Sequence, residues 1–223
     1  MPLISSHLYF AGNQLSDSLA NEDQRDGFLI GSILPDIRYI SGDNRGTTHF
    51  LLKDESDLSN KISLIKKENS SIADIAVKTG IVFHSFLDIW WRKQVYLASK
   101  SKFIGLALQI VDEEQAFSLF NRKAIIERIK KHGTVSFSNI SELVVEKWIS
   151  LVIDYLSQDQ FDAKAIINLI ARGKNYDTRI SEEILGLVDV VKNDENTFNQ
   201  ITKLKEAGIP QKIKLHINGL WLG

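Results

Sequence analysis

Proline is nearly missing from this chain. It occurs only at Pro2, Pro35 and Pro210, so nothing of that kind interrupts the backbone between Pro35 and Pro210. Proline ends helices because it lacks a donor and crowds the preceding turn. The uninterrupted stretch instead carries apolar residues at helical spacing, and alternating strand patterns are scarce. Asn-Gly, the strongest short hairpin signal, occurs once, at Asn218-Gly219, too late to organise a sheet. The chain reads as all-α.

The spacing predicts helices near residues 7–20 and 25–34, the second stopped at Leu34-Pro35 because the residue before proline disfavours the α region. Further helices are expected near 54–68, 72–98, 101–118, 121–131, 139–157, 162–172 and 180–206, with Ser138 and Ser181 as N-caps. Lys212 to Ile217 alternates and suggests a short C-terminal strand. No Gly/Ser-rich linker, repeat or low-complexity tract divides the 223 residues, a length that fits one domain with a real core. The expectation is a single all-α domain, with a functional half over 1–95 and a helical half over 96–223.

Charge and cysteine usage narrow the chemistry. The formal net charge is -1, so the basic excess typical of nucleic-acid binding is missing and no stable nucleic-acid complex is expected. Lys66-Lys67 and Lys130-Lys131 read as solvated helix faces. There is no cysteine, hence no disulfide, thiolate ligand or cysteine nucleophile, and any metal must be held by His, Asp, Glu or backbone oxygen. Met1 to His7 does not resemble a signal peptide, and no apolar run approaches the ~20 residues that span a bilayer. A cytoplasmic location is the expectation.

Three of the five histidines fall within the first 84 residues. His84 and Asp88 stand four apart among Ile81, Phe83, Phe86, Leu87 and Trp90, so on a helix they share one largely buried face. A buried carboxylate needs a partner; metal coordination supplies one, and a hydrogen-bonded His–Asp core pair supplies another. Gly80, one turn back, leaves room for a ligand or a close neighbour. Asp36 follows an apolar helix and a proline, which gives it a rigid approach, although an aspartate at a helix end is ordinary turn chemistry. His49 sits between Thr48 and Phe50 after a Gly-containing loop, and His7 lies near the start of an amphipathic helix. Together they offer three imidazoles and two carboxylates, a donor set suited to zinc, singly or as two neighbouring ions.

The order of these residues resembles the zinc-dependent phospholipase C family, whose fold is shared with P1-type nucleases. The resemblance rests on His7 in His-Leu-Tyr-Phe-Ala, on Gly31-Ser32-Ile33-Leu34-Pro35-Asp36, on Thr48-His49-Phe50, and on Gly80 to Trp91; it covers about the first 95 residues. It implies a multi-helix bundle and a metal-dependent phosphoester hydrolase, phospholipase C-like or another phosphodiesterase. It also implies that Asp36, His49, His84 and Asp88 hold one zinc, that Asp88 bridges to a second bound by His7, and that Asp36 serves as a general base. The family supplies a further site from two more histidines and a glutamate, but no His-x-x-x-Glu follows here, so one or two ions are expected. The partner implied is a phosphoester substrate, with phospholipid among the options. The sequence alone also leaves open a non-catalytic, metal-stabilised helical binding or scaffold protein, and a helical bundle without metal.

Arg38 and Arg45 flank the proposed ligands and are candidates for binding phosphate through a bidentate fork, although both also fit a polar surface loop. Trp90 and Trp91 read as core, with substrate contact as the alternative. Asp112, Glu113 and Glu114 form an acidic cluster that could approach the site, although they read more readily as solvent-facing.

Overall fold

The computed structural model describes residues 3–15, 21–50, 52, 57–68, 70–95, 102–133, 135–137, 139–174 and 179–209. The fold is all-α, and no strand occurs among the described residues. The expected strand at 212–217 lies outside them. So does Ser138; the helix it was expected to cap is instead preceded by Ser141.

The central layer is a pair of helices, α2 (Glu22–Ile33) against α6 (Ile72–Gln94). Asn21 opens α2 with a reciprocal capping box: its side chain accepts from the Gln24 amide, and the Gln24 side chain accepts from the Asn21 amide. Ser71 opens α6 by accepting from the Asp74 amide at 3.1 Å. The two helices cross where Gly80 meets Gly31. A Cβ on Gly80 would lie 2.3 Å from the Phe28 carbonyl oxygen, and one on Gly31 would lie 2.0 Å from the Val77 carbonyl oxygen. The space at Gly80 is therefore taken by a neighbouring backbone.

Helix α2 stops just before Pro35, as expected, with Leu34 as its C-cap. A tight 3-10 turn, Leu34–Ile37, continues the path into α3 (Arg38–Ser41). Pro35 is tolerated there because it falls in the first turn of the new segment, where no amide donor is required. The Ile33 carbonyl at the end of α2 accepts from Trp148 Nε1 at 3.0 Å. Gly42, at φ 77°, ends α3 in the left-handed conformation that glycine adopts without strain. Asn44 then caps α4 (Arg45–Thr48). Helix α5 (Asp57–Lys67) packs on α6.

At the N-terminus, α1 (Ile4–Tyr9) runs into a π-helical turn over Phe10–Leu15; the rest of the expected helix, 16–20, lies outside the described residues. The second half comprises α7 (Lys102–Leu119), α8 (Arg122–His132), α9 (Glu142–Leu156), α10 (Ala163–Lys174), α11 (Arg179–Asn193) and α12 (Glu195–Ala207). The single helix expected over 180–206 is thus two, because Asp194 caps a new one through the Asn196 amide. Ser181 is not an N-cap. It is buried inside the first turn of α11, and its hydroxyl donates to Asn168 Oδ1.

The acidic cluster on α7 corrects a second expectation. Asp112 and Glu113 are buried; only Glu114, paired with Lys192 at 2.6 Å, is partly exposed. Glu113 accepts the amides of Ser5 (2.5 Å) and Ser6 (3.0 Å) at the start of α1, plus the Tyr155 hydroxyl (2.9 Å). Asp112 accepts from the Ser6 hydroxyl and from buried Lys205 at 2.7 Å. The first amides of a helix have no intrahelical acceptor, and α1, at six residues, is too short to be stable alone. A carboxylate from α7 supplies what α1 lacks. No helix among the described residues is long and apolar enough to cross a membrane.

Candidate metal centre

The fold brings His7, Asp36, His49, His84 and Asp88 to one buried point; none is more than 6% exposed. His84 and Asp88 come from the middle of α6. Asp36 comes from the 3-10 turn that follows α2, His49 from the extended residue after α4, and His7 from α1. Asp88 is the hub. Its Oδ2 lies 3.5 Å from His49 Nε2 and 3.7 Å from His84 Nε2, while Oδ1 lies 3.6 Å from His7 Nε2. His84 Nε2 also lies 4.0 Å from Asp36 Oδ1.

The tautomer of His84 follows from its surroundings. Its Nδ1 lies 2.7 Å from the Ser32 carbonyl oxygen. A carbonyl only accepts, so Nδ1 carries the proton and Nε2 presents a lone pair to the cluster. His49 Nδ1 pairs with the Thr48 hydroxyl at 2.9 Å, which leaves its Nε2 for the same point. The Nε2 atoms of His7, His49 and His84 and Asp88 Oδ1 are buried without a hydrogen-bond partner. Buried polar atoms are nearly always satisfied, so four converging exceptions need a shared cause.

Burial holds the imidazole of His84 well below its ordinary pKa, with the neighbouring His7 adding to that, and burial lowers His49 as well. Both therefore favour the neutral form that ligates metals. For Asp88 burial acts the other way. The His84, His49 and His7 rings and the Arg45 guanidinium outweigh it, and hold the carboxyl well below the usual range.

Arg45 donates to Asp88 Oδ2. Arg38 turns inward instead: its Nη2 donates to the Tyr39 hydroxyl at 2.9 Å and lies 3.7 Å from Asp36 Oδ1. A cleft of about 270 Å³ leads to Asp88 and His49 and is lined by Arg45, Arg92, Ser85 and Phe50 among others. A larger one, about 600 Å³, reaches His49 and Phe50 from the α8 side. Trp90 and Trp91 are buried in the core, Trp90 with its ring edge-on to Phe10 at 5.7 Å.

Comparison with protein families, curated proteins and solved structures yields no match for this chain.

The donor set fits a divalent cation of the zinc class. Zinc binds imidazole nitrogen and carboxylate oxygen at about 2.0–2.2 Å, so tetrahedral ligand atoms sit about 3.4 Å apart. The separations of 3.5–4.0 Å around Asp88 and Asp36 are close to those edges. Sequence reasoning missed three contributors. The Ser32 carbonyl carries no residue signal, because backbone does the work. Arg92 had one: it follows Asp88 by four, as Asp88 follows His84, along one face of α6. Glu113 had one only as part of an acidic cluster that could approach the site, with solvent exposure the favoured reading.

Proposed function

We propose that this protein is a metal-dependent phosphoester hydrolase of the phosphodiesterase or phospholipase C type. The observation that carries the reading is the convergence of unpartnered imidazole nitrogens with two buried carboxylates; of these residues, His49 and Asp88 line a cleft together with two arginines. Asp36, His49, His84 and Asp88 would hold the ion, with His7 beside them. A divalent ion bound there would draw charge from a phosphoryl oxygen and acidify water near neutral pH.

The chain's own groups complete the chemistry. Arg45, on the cleft wall, presents a permanent positive charge to the phosphoryl oxygens, where a guanidinium fork is the strongest side-chain partner. Asp36 would accept the proton, with the Arg38 guanidinium 3.7 Å from it on the protein side. The Ser32 carbonyl and Thr48 hydroxyl orient the two ring ligands, as outer partners of metal-bound histidines do. A cytoplasmic location belongs with this reading and rests on the cysteine-free composition.

The test is hydrolysis of bis(p-nitrophenyl) phosphate and p-nitrophenyl phosphate by the zinc-loaded protein. Chelation, His84→Gln or Asp88→Asn should remove turnover while helicity by circular dichroism is retained. A zinc-bearing wild type that turns over neither ester, nor a phospholipid, would leave a metal-stabilised helical binding protein as the better reading.

A further inference from the structure

We infer that the centre takes one ion rather than two, and that Arg45 and His7 occupy the remaining sides of Asp88 where a second ion would sit. This rests on the metal reading given above. Two three-residue groups are close enough to hold an ion, His7–His84–Asp88 and Asp36–His49–His84. Both need His84. Its Nδ1 is committed to the Ser32 carbonyl, so it has one lone pair to give, at Nε2. The two groups are therefore alternatives for one ion and not two sites.

Ring orientation decides between them. Imidazole lone pairs lie in the ring plane. The His7 and His84 rings stack at 3.7 Å with only 12° between their planes, so an ion cannot lie in both planes at once. His49 and His84 stand at 76° with ring centroids 4.9 Å apart, an angle that lets one ion lie in both planes. Asp36, His49 and His84 form one close donor group, with Asp88 Oδ2 beside the two rings, enough to hold one ion with a position left for water. What is left to a second ion is His7 Nε2 and Asp88 Oδ1, two donors only.

Charge points the same way. Two carboxylates, Asp36 and Asp88, face the centre, and the imidazoles are neutral ligands. One divalent ion balances them. A second would add two positive charges beside Arg45, which already donates to Asp88 Oδ2, and near Arg38. Arg45 thus supplies a fixed cation in place of a second metal. His7 becomes a positioning residue: its ring stacks on His84 at 3.7 Å and holds that imidazole in place beside Asp88.

The experiment is zinc content per folded chain by elemental analysis after loading and desalting, with affinity from chelator competition, for wild type, His7→Gln and His49→Gln. Absorption of the cobalt(II)-substituted wild type reports coordination without any variant. The expected results are one ion per wild-type chain with a tetrahedral cobalt spectrum. His7→Gln should retain one ion with affinity weakened about 10–100-fold, the usual effect of losing an outer partner; His49→Gln should lose it. Two ions in wild type overturn the inference and leave the proposed hydrolase intact. An ion lost entirely from a helical His7→Gln also overturns it, by making His7 a ligand. No ion in wild type removes the hydrolase reading and this inference together.

Discussion

Replacing Gly80 with alanine adds one methyl group at the tightest point of the α2–α6 crossing. The new carbon would lie 2.3 Å from the Phe28 carbonyl oxygen and 2.8 Å from both Gly31 Cα and the Ser32 amide nitrogen. All three are backbone, so no side chain can swing aside. The helices have to part by on the order of 1 Å to restore ordinary contact distances. Overpacking of a close-packed interior costs about 1–3 kcal/mol, and a rigid obstacle puts this case at the upper end. Alanine returns about 1 kcal/mol of helix propensity. The net loss is about 2 kcal/mol, a fall of roughly 4–8 °C in Tm for a chain of this size. The shift also acts on the site, because Ser32 is the residue whose carbonyl orients His84. Zinc affinity should fall along with Tm. Thermal melts of the chelated protein and zinc competition measure the two effects. Gly186 provides the opposite case within α11: nothing lies within 4 Å of the position its Cβ would take, so Gly186→Ala should stabilise by about 1 kcal/mol. A Gly80→Ala variant that melts at or above wild type would refute the claim that backbone contact at this glycine sets how closely α2 and α6 approach.

Glu113→Gln replaces one acceptor oxygen with a donor that faces either the Ser5 amide and Tyr155 hydroxyl or the Ser6 amide. Leaving a buried donor unsatisfied costs about 1–3 kcal/mol; the melt should shift down by several degrees and the order of α1, with His7, should loosen, whereas an unchanged Tm would show that Glu113 does not anchor α1. The pH dependence of the chelated protein follows from the buried rings. His84 and His49 have folded pKa values below their ordinary 6.5, so as pH falls below 6.5 the unfolded chain takes up protons that the folded one refuses, and stability is lost through that window. Asp88, held below its ordinary value, adds stability that is present above the normal carboxylate range and lost as pH falls through its folded value. Glu113, pushed up by burial against the pull of its amide donors, acts in the opposite sense. The quantity to read is therefore the difference between wild type and His84→Gln: the drop in Tm from pH 7 to 5 should be smaller in the variant, and equal slopes would mean that His84 is not a buried neutral ring.

What the sequence shows and what it hides separate along one physical line. Helices and the His84–Asp88 pair are local facts, set by 3.6-residue periodicity and by which side chains share a face. Asp36 and His49 are weaker signals because each is a single polar residue in a turn; only their order along the chain suggested that they meet, and in the structure they do. The failures are cases in which a distant partner overrides a local rule. Asp112 and Glu113 read as a charged surface until α1 brings two unsatisfied amides to one carboxylate and Ser6, with Lys205 of α12, reaches the other. Ser181 has the chemistry of a cap, but Asn168 on a neighbouring helix claims its hydroxyl. Pro35 does end α2, as its local rule says, and the 3-10 turn that follows carries Asp36 round to His84. These long-range contacts also assign work to the second half of the chain, which the sequence left without a role. Glu113 on α7 and Tyr155 on α9 fix the start of α1 beside His7, and Trp148 on α9 takes the last carbonyl of α2, three residues before Asp36. The proposed ligands lie in the first 88 residues, but two of the short segments that aim them are held by side chains from beyond residue 110.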